Sequence, residues 1–122
     1  MMRNAAQAYG AVARQTANPR ELEANLLLKA ASQLQAVCDG WEHKRSDLDL
    51  ALRYNRKLWS IFLTSVTSQD NPLPQEIRQN VANLGVFVMT QTVTIMREPT
   101  PVQLQPLINI NRELAAGLMG RA

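Results

Sequence analysis

Proline residues constrain the fold of this chain more than any other feature, because they divide it into segments of helical length. Breaks fall at Asn18-Pro19, at residues 70–74 and at residues 98–101. Proline is tolerated in the first turn of a helix but not in its interior, so each break ends one element and begins another. Gly40 supplies a further stop. We therefore predict three long helices, near residues 20–40, 46–68 and 74–97, and shorter helices at each end.

Within each segment, apolar residues recur at steps of four and three, which is the period of an α-helix. Each of the three long predicted helices and the last short one has such a stripe. In chain order the stripes are Leu27, Ala31, Leu34, Cys38 and Trp41; Leu48, Leu52, Asn55, Trp59, Phe62 and Val66; Ile77, Val81, Leu84, Val88, Thr92 and Ile95; and Leu104, Leu107, Ile108, Leu114 and Leu118. We expect Leu26, Ala30 and Val37 to widen the first of them.

The third helix is apolar and β-branched at its centre, from Val86 to Met89. Valine and threonine favour strands, so a strand over 85–95 is the alternative, but the helical spacing extends over the whole segment. We expect this helix to be the most buried one.

Asn55 is the polar residue in the middle of the strongest stripe. A buried amide without a partner costs about 1–3 kcal/mol, so we predict that Asn55 is buried and bonded to a backbone group. Trp59 lies one turn further on and is expected in the core, whereas Trp41, near a helix end, is the better candidate for exposure.

The 122 residues correspond to one domain. The predicted fold is an all-α, small single-domain helical bundle of three long helices with shorter terminal helices. It spans residues 1–122, with flexible ends near 1–4 and 120–122. A short first helix carrying Tyr9 and Val12 has a narrow apolar face, so it must dock on the bundle or on a partner.

Composition argues against catalysis and against a metal or cofactor site. The chain has a single cysteine, Cys38, and a single histidine, His43, which cannot supply the four ligands of a structural zinc. It also lacks phosphate-binding and nucleophile motifs. No run resembles a membrane span or a signal peptide. We expect a non-enzymatic, cytoplasmic protein without cofactors and without a membrane interaction.

Nucleic-acid binding is a weaker hypothesis, because the formal net charge is only +3. Arg53, Arg56 and Lys57 share one helix face, which is suited to contact phosphate. A solvated surface partly neutralised by Asp49 explains the same pattern, and no aromatic residues alternate with these cations for base stacking.

Several short segments together resemble a known family. They are Tyr9, residues 18–23 (NPRELE), residues 51–59 (ALRYNRKLW), residues 71–74 (NPLP) and residues 110–112 (INR) with Gly117-Leu118. In this order and spacing they resemble the bacterial flagellar biosynthesis regulator FlaF family, from about residue 5 to residue 120.

The resemblance implies a protein without catalytic activity that binds flagellin as a chaperone and promotes its synthesis and export. Flagellin's terminal segments are amphipathic helices, which a helper would cover. The alternative is regulation of flagellin translation, acting on mRNA directly or through the antagonist FlbT, which is also a possible partner. The oligomeric state stays open. Candidates for partner contact are Tyr9, Val12, Arg20, Glu21, Trp41, Asn55, Trp59, Met89 and Met96.

Overall fold

The computed structural model describes residues 19–120, all of whose regular elements are helical. Each end of the three long predicted helices is confirmed to within two residues. The elements are α1 (Pro19–Asp39), α2 (Trp41–Lys44), a 3-10 turn (Arg45–Asp47), α3 (Leu48–Thr67), α4 (Gln75–Arg97), a second 3-10 turn (Pro101–Leu104) and α5 (Gln105–Leu118).

The helices pack as two pairs. α1 lies along α5, α3 and α4 form an antiparallel hairpin around the 68–74 turn, and α1 joins the pairs by packing on α3. The core between them is aliphatic with Trp59 and Phe62 at its centre, and these two rings meet edge to face at 5.7 Å. The expected all-α helical bundle is thus confirmed.

A buried polar network crosses this core. Asn111 of α5 donates from Nδ2 to Asn55 Oδ1 at 2.7 Å, and its own Oδ1 accepts the Trp59 Nε1–H at 2.9 Å. Asn111 Nδ2 also lies 3.5 Å from the Leu27 carbonyl oxygen. The predicted burial of Asn55 is confirmed, but the predicted backbone partner was wrong, because a side chain from another helix takes its place.

Close approach of α3 and α4 depends on Gly85. A Cβ atom at this position would lie 2.5 Å from Leu63 Cδ2, well inside van der Waals contact. Glycine therefore costs some helix propensity here but lets the hairpin helices pack closely.

Two predictions about burial were wrong. α4 is not the most buried helix, since it packs chiefly against α3 and leaves Ile77, Val86 and Phe87 exposed. Leu26 is also exposed, because a step of 100° around α1 carries it away from the stripe that begins at Leu27. Ile77 keeps the spacing of the buried stripe but is exposed in the first turn of α4, whereas Val86 lies away from the buried face of that helix.

The predicted first helix, with Tyr9 and Val12, lies outside the described residues. Across residues 19–120, no helix combines the length and the hydropathy that a bilayer crossing requires.

Candidate partner-binding surfaces

α4 carries a second apolar stripe on its outer side. Residues 82, 86, 89, 93 and 96 follow one another at steps of four, three, four and three, so they lie on one face of the helix. Val86 is 62%, Val93 49% and Met96 51% exposed, whereas Ala82 and Met89 are half-buried. We call this surface the outer stripe: Ala82, Val86, Met89, Val93 and Met96.

Cations border one end of the outer stripe. A depression of about 500 Å³ between α3 and α4 places Met96 beside Arg53, Arg56 and Lys57 of α3. We call these three residues the basic strip. Arg53 is held by Asp49, one turn away, through Nε and Oδ2 at 2.9 Å. Apolar and cationic surface therefore meet on one face of the α3–α4 hairpin.

A second concave feature lies where α1 begins. This end groove, of about 280 Å³, is formed by the start of α1, the ends of α3 and α5, the start of α4 and the 68–74 turn. Phe62, Val81 and Leu118 give it an apolar lining, and Pro19 and Arg20 form part of its wall. Pro19, the first residue that the structure describes, therefore lies at this groove.

Glu23 is the acidic residue of the end groove. Burial raises the pKa of its carboxyl group above the ordinary value, and the nearby Arg20 guanidinium offsets part of that effect. A raised folded-state pKa means that ionisation of Glu23 with rising pH opposes folding. The ionised form of Glu23 in the end groove therefore lowers the free energy of unfolding.

The candidate residues from the sequence are scattered over the structure. Asn55 and Trp59 are completely buried, so a partner docked on the surface does not reach them, and their place is in the core network. Trp41 is half-buried, with the Arg45 guanidinium carbon 5.4 Å from its ring centroid.

The remaining candidates divide between the two surfaces. Met89 and Met96 lie on the outer stripe, Arg20 lines the end groove, and Glu21 is exposed near the start of α1. Tyr9 and Val12 lie outside the described residues.

Sequence reasoning did not name Val86 and Val93, the two valines of the outer stripe, as candidates for partner contact. The signal was present, since 82, 86, 89, 93 and 96 repeat the same four-and-three spacing as the buried stripe of that helix. α4 therefore has a second apolar face, which the bundle covers only in part.

No cluster of three or more histidine, cysteine, aspartate or glutamate side chains suited to a metal ion occurs between residues 19 and 120. Cys38 is half-buried, and its thiol donates to the Pro101 carbonyl oxygen at 3.6 Å. The thiol therefore joins α1 to the second 3-10 turn.

A protein-family model described as "Flagellar protein FlaF" matches residues 5–118. The chain belongs to the FlaF family. The FlaF match includes all five helices and both of the candidate surfaces, and it confirms the resemblance seen in the short segments. No curated protein and no solved structure matches the chain. As a FlaF-family member, this is a flagellar protein.

Proposed function

We propose that this protein is a cytoplasmic, non-catalytic chaperone and regulator that binds flagellin and promotes its synthesis and export during flagellum assembly. Family membership supports a flagellar role. The observation that supports protein capture is the outer stripe, an exposed apolar face on a helix that packs on its other side against α3.

The exposed side chains of Val86, Val93 and Met96 form one row with the half-buried Ala82 and Met89, and an exposed apolar patch of this kind is typical of an interaction site. From residue 82 to residue 96 the outer stripe extends about 21 Å, or four helical turns. An amphipathic helix laid along such a row buries its own apolar residues at i, i+3, i+4 and i+7. The terminal segments expected of flagellin have this character.

Methionine suits the proposed task. Met89 and Met96 have unbranched, flexible side chains that repack against different partners at low cost. A chaperone that must release its client needs such an adaptable surface more than it needs a rigid fit. The two methionines alternate with the valines, whose side chains have one preferred χ1 rotamer in a helix and are therefore the rigid part of the stripe.

Titration of the full-length protein with monomeric flagellin, followed by calorimetry at several temperatures, tests the proposal. We expect saturable binding at micromolar concentration. Because apolar surface is buried, the heat-capacity change should be negative, on the order of −0.2 kcal/mol/K. A lack of saturable binding to flagellin, or to either of its terminal segments, would contradict the chaperone function.

A further inference from the structure

We propose that the helix bound on the outer stripe carries carboxylates along one flank, and that these pair with Arg56 and Lys57 of the basic strip. This inference rests on the proposed function and specifies the chemistry of the partner at that same surface. It follows from the meeting of apolar and cationic surface on the α3–α4 face.

The positions of the two surfaces determine which flank is involved. α3 and α4 are neighbours in an antiparallel hairpin, and Met96 shares a depression with Arg56 and Lys57. A helix that covers Val93 and Met96 must therefore place one of its flanks over the basic strip. The apolar face of the bound helix therefore contacts the outer stripe, and the residues beside that face contact the basic strip.

The charges of the strip favour an acidic flank. Arg53 has a carboxylate partner in Asp49, whereas Arg56 and Lys57 form no ion pair with any residue between 19 and 120. Both are exposed, so they are available to a partner. Carboxylates spaced one helical turn apart on the bound helix would face them together.

Other occupants fit this surface less well. Single-stranded RNA is usually bound by aromatic side chains that stack on its bases beside the phosphate contacts, but the depression has no aromatic lining: the neighbours of the strip there are Asp49, Leu52, Ser60 and Met96. A second copy of this face would add a second basic strip to the interface, and the acid in the lining of the depression, Asp49, already pairs with Arg53.

The test is charge reversal in the full-length protein. We expect Arg56→Glu with Lys57→Glu to weaken flagellin binding by at least about tenfold, because attraction becomes repulsion across the interface. Affinity of the unchanged protein should fall as salt rises from about 50 to 300 mM, and the affinity of the reversed variant should rise, because salt then screens a repulsion. Calorimetry at two salt concentrations measures both effects.

The matched control reverses two exposed cations elsewhere, Lys29→Glu with Arg112→Glu. It changes the net charge by the same amount and should leave flagellin affinity within about twofold, as expected for charges outside the contact. Circular dichroism of both variants reports whether the helices remain folded. If the control weakens binding as much as the reversal at the strip, overall charge is responsible and the inference is wrong.

Other outcomes distinguish this inference from the proposed function. If flagellin binds and the reversal at the strip has no effect, the acidic flank is wrong while the chaperone function stands. If flagellin does not bind the unchanged protein, the proposed function itself is wrong.

A single-stranded RNA of about 20 nucleotides serves as a further probe. If it binds and the reversal abolishes only that binding, the strip contacts nucleic acid. A dimer of the protein alone that the reversal dissociates would assign the surface to a second copy.

Discussion

Asn111→Ala is expected to lower the free energy of unfolding by about 3–5 kcal/mol, the largest effect of any single polar substitution in this core. The change removes the bonds that Asn111 makes to Asn55 and Trp59. It leaves the Trp59 indole N–H and the Asn55 side chain without these partners at completely buried positions. It also opens a cavity between α1, α3 and α5. Urea unfolding followed by tryptophan fluorescence measures the loss.

Asn109→Ala is the matched control, since Asn109 lies on the same helix, is exposed and accepts a bond from Gln105 in the turn before it. Its substitution should change the free energy of unfolding by no more than about 0.5 kcal/mol. An Asn111→Ala variant as stable as this control would show that the network does not hold α5 against α3.

The second large effect concerns binding. We expect Val86→Asp combined with Val93→Asp to weaken flagellin binding by at least about a hundredfold, because docking would then bury two carboxylates against an apolar helix face. Both valines are already exposed, so the helical circular dichroism and the unfolding midpoint should change little. The titration that tests flagellin binding also measures this loss.

Leu50→Asp combined with Val102→Asp controls for the general effect of adding two acids at exposed apolar positions. Leu50 and Val102 are at least as exposed as the two valines but lie outside the outer stripe. This variant should bind flagellin as the unchanged protein does. Equal losses for the two double variants would remove the reason to assign the outer stripe to the partner.

Helix positions were predictable from the sequence because they depend on local chemistry. Proline and glycine fix the ends, and the four-and-three spacing fixes the buried face, so even the polar Asn55 was correctly expected inside. Its partner was not predictable, because Asn111 lies 56 residues away and the contact depends on how α5 is rotated against α3. Sequence spacing within one helix carries no information about that rotation.

The burial of α4 could not be predicted for a different physical reason. An apolar residue indicates that a surface is to be covered, but it does not indicate whether the core or another molecule covers it. Val86 and Val93 therefore look like core residues in the sequence. They are exposed because α4 packs chiefly against α3. Met89 and Met96 were singled out by their side-chain chemistry and lie on the outer stripe, and their contact with a partner stays a prediction.

The central claim is that flagellin docks on the α3–α4 face, and methyl NMR of methionine tests it most directly. The chain has five methionines, which report on different places. Met89 and Met96 lie on the outer stripe, and Met119 follows Leu118 of the end groove. On titration of the full-length, methyl-labelled protein with flagellin, we predict that the Met89 and Met96 signals shift or broaden and that the Met119 signal does not change. Perturbation of Met119 with unchanged Met89 and Met96 signals would contradict the claim.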